Sequence, residues 1–368
     1  MPGVDAPTVY LHIGTPKSAT TYLQSRFAKN HQRAAEQGLL WPGPGWGFHG
    51  AAAKELRALG NGESLDPEGP WTRMAEQART WHGDRVLISM EWLVSCSPHQ
   101  LKVAVDSLAP CRVEVVITVR DLLRSFVAQW QEMMKNNRTW AWDRFVAESR
   151  RRRRRGAAGG TFWRQHDVPA IVKRWSKAVP EDRFHIVTLP PSGGDRDLIW
   201  TRFCEVVGID GADFEQPGRD NPSLGVVSSV LMQRINLAAK GRGFSNRDYK
   251  SVVYRAIGLK TLAPRRGEEA PIAVDKSTDR WVRDRADKMI GQIRRLDARV
   301  VGDLEDLVPG EPLKGRVPSD VAESELLDLA VDALVDLGLR QQEEIAQLRT
   351  KLHRARQRAG RRSGSVVG

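Results

Sequence analysis

The chain of 368 residues is 40% apolar and carries a formal net charge of +12, so it is long enough to bury a full core as one large domain or two modest ones. Arg150–Arg155 supply six positive charges, and Lys351, Arg354, Arg356, Arg358, Arg361 and Arg362 supply six more, which together are the whole excess. The body of the fold is therefore formally neutral, and a nucleic-acid-binding domain with a basic face is disfavoured.

No apolar run reaches the roughly 18–20 residues that span a bilayer, and the opening MPGVDAP lacks the basic and apolar regions of a signal peptide. A cytoplasmic address is expected. Cys96, Cys111 and Cys204 are odd in number, far apart and outside any CxxC pair, which predicts buried free thiols and not a disulfide framework or a zinc site.

In chain order, Thr8 to Gly14, Arg85 to Met90, Val113 to Val119 and Arg183 to Leu189 are short, β-branched and bounded by charged or turn residues, as buried parallel strands are. Helical patterns lie between them, over Thr20 to Glu36, Pro98 to Leu108, Leu122 to Lys135 and Asp197 to Val207. This alternation predicts an α/β fold, a doubly wound parallel sheet flanked by helices. Ligands of such sheets sit at the carboxyl ends of the strands, where Gly14, Glu91 and Arg120 fall.

Two insertions, at about 41–70 and 136–161, flank that edge. The first is rich in Gly and Pro, and the second carries the arginine run. The run is read as a solvated loop, with contact to an anionic surface as the alternative.

Beyond Pro222 the pattern is helical, over Ser223 to Leu237, around Asp248 to Leu259 and over Asp279 to Asp306. A segment 321–357 follows in which Leu327, Ala330, Leu334 and Leu337, then Ile345, Leu348 and Leu352, form one apolar seam. It docks within the chain or pairs with another chain as a coiled coil, so self-association is one expectation. The organisation expected is an α/β domain over 1–320, this C-terminal helical extension, and a basic tail over 358–368.

The turn GTPKSATT joins the first strand to the first helix, so its main-chain N–H groups and the helix N-terminus converge on one spot that favours an anion. Ser18 or Thr20 is expected to cap the helix. Lys17 adds a point charge. The nucleotide loop GxxxxGK[ST] is absent, since no second glycine precedes Lys17.

The segment Thr15 to Leu23, TPKSATTYL, resembles the 5′-phosphosulfate loop of the sulfotransferases that use 3′-phosphoadenosine 5′-phosphosulfate (PAPS), in which PKSGTT precedes an aromatic residue and Leu. VVITVRDLLRSFVAQW, from Val115 to Trp130, resembles the family's second element, a strand ending in the arginine that holds the donor's 3′-phosphate. The resemblance covers about the first 210 residues, with a looser match at NPSLG from Asn221, and points to an actinobacterial-type, carbohydrate-sulfotransferase-like branch. It implies a P-loop-like sheet, PAPS as donor without a metal, and a carbohydrate, glycolipid or other small hydroxyl acceptor.

Carried onto this sequence, the resemblance implies that Thr15, Lys17, Ser18, Ala19, Thr20 and Thr21 bind the 5′ end, with Lys17 also catalytic, and that Arg120 binds the 3′-phosphate. Three departures stand out: Ala19 replaces the usual glycine, Ala128 falls where the family has serine, leaving Ser125 as substitute, and GxxGxxK is missing.

The general base is expected to be Glu91, at the end of the second strand, with His49 in GWGFHG as competitor and His12 as a third candidate whose commoner fate is a buried, hydrogen-bonded ring. Most of the tryptophans are expected in the core, whereas Trp41 and Trp46 are placed to stack on an acceptor. A catalytically silent member acting in assembly or anionic-surface tethering is the alternative, and an ATP- and magnesium-dependent nucleotide kinase is a third.

Overall fold

The computed structural model describes residues 6–151, 158–195, 197–218 and 223–363, with side chains described as far as 356. Residues 152–155 of the arginine run, Asn221 and Pro222 of the looser match, and the basic tail's side chains from Arg358 on lie outside it. The chain divides into two units: residues 1–130, 142–221 and 274–313 form the first, and residues 131–141, 222–273 and 314–368 the second.

The first unit is built on six parallel strands: β1 (Thr8–His12), β2 (Leu39–Leu40), β3 (Arg85–Ser89), β4 (Arg112–Val119), β5 (Phe184–Thr188) and β6 (Arg299–Val301). Their order is β2-β3-β1-β4-β5-β6, with His12 between Ser89 and Val116 in register. Every residue of β4 after Arg112 is buried. An unbroken buried run in a parallel strand means that both sheet faces are covered, so Val, Ile and Thr predominate without polar alternation, and the one charged residue of the run, Glu114, is held by Arg112 at 2.6 Å and His185 at 3.0 Å.

The four expected strands are all present. Two more escaped the sequence reading: β2 has only two residues, and β6 follows the helix Lys276–Ile293 in a stretch expected to be helical throughout.

The first helix, α1 (Thr20–Lys29), is shorter than expected because Asn30 interrupts it. The Asn30 side chain donates to the Arg26 carbonyl at 2.8 Å and the Glu215 carbonyl at 2.9 Å, and accepts from the Glu215 N–H at 2.9 Å. A side chain that competes for main-chain groups in this way ends a helix. Beneath α1, Phe27 packs against Trp200 at 4.9 Å and Phe203 at 5.6 Å between ring centroids, which fixes the helix, and with it the preceding turn, against the sheet.

Helices also fill the two insertions, at Trp46–Ala58, Trp142–Arg150 and Ala158–His166. The three cysteines are free and buried.

The second unit is helical, with Val226–Gly241, a π-helix over Tyr249–Leu262 and the long helix Glu323–Ser363. A buried polar link holds it: the Tyr249 hydroxyl donates to Asn236 Oδ1 at 2.9 Å, and Asn236 Nδ2 donates to the Met134 and Arg138 carbonyls at 2.6 and 2.8 Å. No described helix is long and apolar enough to cross a membrane.

Candidate active site

The turn after β1 is tied to both neighbouring strands. The Thr15 N–H donates to the Thr118 carbonyl and the Thr118 N–H to the Gly14 carbonyl, each at 2.7 Å, while the Met90 N–H donates to the His12 carbonyl at 3.0 Å. Gly14 has φ +101°, and a Cβ on it would lie 3.0 Å from the Glu91 Cβ and 3.2 Å from its Cα. Only glycine allows that approach. The ends of β3, β1 and β4 therefore bring Glu91, the GTPKSATT turn and Arg120 to one edge of the sheet.

Lys17 and Ala19 both have positive φ, at 65° and 61°, on either side of Ser18. Such an alternation curls the main chain so that successive N–H groups face a common centre, as in anion-binding nests. Helix α1 starts there with Ala19 at its N-cap, with no side-chain cap and no acid in its first turn. Its first N–H groups thus have no side-chain cap, the arrangement in which helix N-termini can accept an anion.

This corrects the expectation that Ser18 or Thr20 caps the helix. Ser18 is buried, with its hydroxyl on the Thr15 carbonyl and 2.7 Å from Thr118 Oγ1. Its side chain braces the loop from below, and only its N–H remains to face a ligand.

His12 belongs to the same brace. Its Nδ1 lies 2.7 Å from Ser89 Oγ and its Nε2 3.1 Å from Thr118 Oγ1, and burial pushes its pKa down to about 3. A neutral imidazole thus links three strands under the turn.

His49 is also removed from the list of bases. Its Nε2 donates to the Pro42 carbonyl at 3.0 Å, its Nδ1 accepts the Ser89 N–H at 3.2 Å, and its ring stacks on Trp41 at 4.1 Å. With both nitrogens committed to main chain and burial lowering its pKa to about 4, it has no lone pair to offer an acceptor. Trp41 is likewise a core ring, 4% exposed, and not a stacking platform.

Glu91 opens a short 3-10 helix at the end of β3. Its Oε2 accepts from Gln24 Nε2 at 3.1 Å, while Gln24 Oε1 accepts from Trp46 Nε1 at 2.7 Å. The indole donates only, so it sets the amide's orientation and turns its NH2 toward the carboxylate. Trp46 is 45% exposed, leaving its ring accessible beside Glu91. Gln24 escaped the sequence reading; its signal is a polar residue one turn beyond Thr20 in α1, 1% exposed.

Arg120 follows β4, two residues beyond Thr118. The neighbouring Asp121 is spent elsewhere: its Oδ1 accepts the Arg124 N–H at 2.9 Å and its Oδ2 pairs with the Arg124 guanidinium. An ion pair between Arg120 and Asp121 is therefore not what the strand end was built for. Among the described residues the Arg120 guanidinium has neither a hydrogen bond nor an ion pair. Burial, and then the charge of Arg124, lower its pKa to about 10, so it stays protonated at neutral pH.

Ser125 is 1% exposed with its hydroxyl turned back to the Arg120 carbonyl at 3.5 Å. In this position the side chain lies at the start of the helix that follows Arg120.

No protein-family model matches the chain, and no curated protein matches it. Among solved structures, the chain is similar to a sulfotransferase from Alicyclobacillus acidocaldarius at 13% identity and a TM-score of 0.38, a match that covers 67% of this chain and 95% of that one.

Proposed function

We propose that the protein is a sulfotransferase that moves a sulfuryl group from PAPS to a hydroxyl of a carbohydrate, glycolipid or other small acceptor. The observation that carries this reading is Arg120, a half-buried cation with no hydrogen bond or ion pair from its guanidinium among the described residues, one strand away from an uncapped anion cradle. A guanidinium partly removed from water with no hydrogen-bonding acceptor is less well solvated than one in bulk, and a phosphate on a bound ligand supplies the acceptor it lacks. Two anion sites on adjacent strand ends suit a nucleotide phosphorylated at both its 3′ and 5′ positions.

In this reading the donor supplies an activated sulfuryl group on a phosphate leaving group. The N–H groups of Ser18, Ala19 and Thr20, with the hydroxyls of Thr20 and Thr21, hold the 5′-phosphate, and Thr15 shapes the turn. Lys17 stabilises the bridging oxygen as it takes charge, and Arg120 fixes the ribose end. Glu91, oriented by Gln24, accepts the acceptor's proton as the new S–O bond forms and the bond to the phosphate breaks. Trp46 offers the acceptor an apolar face.

Ala128 at the family's serine position favours a second reading, a catalytically silent protein acting in assembly or tethering. Transfer of radiolabelled sulfuryl from PAPS to extract acceptors distinguishes the two. Glu91→Gln is expected to lower kcat by about 10² to 10⁴ with donor affinity nearly intact, and an unchanged rate removes Glu91 from the mechanism.

A further inference from the structure

Of the thirteen large hydrophobic side chains exposed among the described residues, eight lie on the helix Glu323–Ser363. Six of them, Leu327, Val331, Leu334, Ile345, Leu348 and Leu352, recur at alternating spacings of three and four about a break at Gly338 and Gln341, and each is 46% to 68% exposed. They are not the face with which the helix packs in its own unit. That face is Leu326, Ala333, Asp336 and Arg340, with Asp336 on Arg265 at 2.6 Å and Arg340 on Thr261 at 3.0 Å. At 100° per residue the free stripe lies roughly 110° round the helix from it. From residue 341 to 356 every residue is exposed.

Charge along the helix is segregated. All its Asp and Glu lie between Glu323 and Glu344, and from Arg349 onward every formally charged side chain is basic. A parallel, in-register pair would set like charge against like along its length and place Lys351 beside Arg356 of the second copy. An antiparallel pair sets the acidic half against the basic half.

We propose that this stripe is the interface of an antiparallel helix pair with a second copy of the chain, centred between Leu339 and Arg340. In that register Leu327 meets Leu352 of the second copy, Val331 meets Leu348 and Leu334 meets Ile345. The two weak positions, Gly338 and Gln341, face each other at the centre. Asp328 at the flank faces Arg349 of the second copy, which adds a charge pair that salt screens. This proposal is independent of the proposed activity.

Light scattering on the full chain at micromolar concentration, followed by disulfide cross-linking, tests it. The three native cysteines are buried and the substituted positions exposed, so the readout is clean. A mixture of Leu327→Cys and Leu352→Cys chains is expected to give a cross-linked pair, and Leu327→Cys alone to give none, because those two sites stand roughly 38 Å apart in the antiparallel register. The dimer is expected to loosen as salt rises.

A monomer at all concentrations, cross-linking of Leu327→Cys to itself, or a dimer that tightens with salt overturns the proposal. So does a mass increase seen only after anionic vesicles or nucleic acid are added, which would assign the basic end to an anionic partner.

Discussion

At the residue scale, Ala19, like Lys17 before it, is a position where sequence and backbone disagree. Its φ of 61° costs an L-residue about 1–2 kcal/mol, whereas glycine adopts it without strain and loses about 0.5–1 kcal/mol in chain entropy. Ala19→Gly is therefore expected to stabilise the protein by about 0.5–1 kcal/mol in urea unfolding while preserving the turn. Destabilisation would mean that the methyl packs usefully and that the left-handed turn is not held under strain.

The placement of the GTPKSATT turn and of Arg120 at neighbouring strand ends was legible in the sequence because its signal is local, a β-branched strand followed by a turn pattern. His49 and Trp41 were misplaced because a histidine or a tryptophan reads the same in a pocket and in a core. What settles each is a partner distant in sequence: the Ser89 N–H for His49, Phe27 and His49 for Trp41.

At the element scale, the site depends on how closely the start of the 3-10 helix at Glu91 can approach the end of β1. Gly14→Ala would push a methyl into Glu91 and force a backbone angle that side chains avoid, an expected loss of about 2 kcal/mol or more. Chemical denaturation checks this, and wild-type stability in the variant would show that the two strand ends have room to spare.

The strands of the sheet were legible where they are long and β-branched. β2 and β6 were not, because two or three residues carry no periodicity and only the sheet edge beside them makes them strands. The cap of α1 was missed for a related reason: Ser18 is the residue type that caps helices, but its hydroxyl is drawn down to Thr118.

Across the whole molecule, three histidines are buried neutral. Burial lowers His12 and His166 to about 3 and His49 to about 4. Below about pH 6.5 the unfolded chain binds protons that the folded chain refuses, so stability falls as pH falls, by up to about 1.4 kcal/mol per pH unit for each ring until its folded pKa is reached. The urea midpoint is expected to drop clearly between pH 7 and pH 5, and a midpoint constant over that range would contradict the burial of these rings. Of the basic run, Arg150 is held in the first unit, bonded to Ser277 Oγ at 2.8 Å and Thr278 Oγ1 at 3.1 Å and lying over Trp281, which the count of charges along the chain did not reveal. What the sequence left open was whether the C-terminal seam docks within the chain, because a helix with two apolar faces projects both onto one string of residues.

The proposed donor site is probed by calorimetry with 3′-phosphoadenosine 5′-phosphate, a ligand with a phosphate for each of its two ends and no demand on the acceptor. Micromolar binding by the wild type is expected, lost in Lys17→Ala and in Arg120→Ala, with the Arg120 variant no less stable because its guanidinium makes no hydrogen bond or ion pair among the described residues. Absence of binding by the wild type, or unchanged binding by either variant, would contradict the proposed donor site.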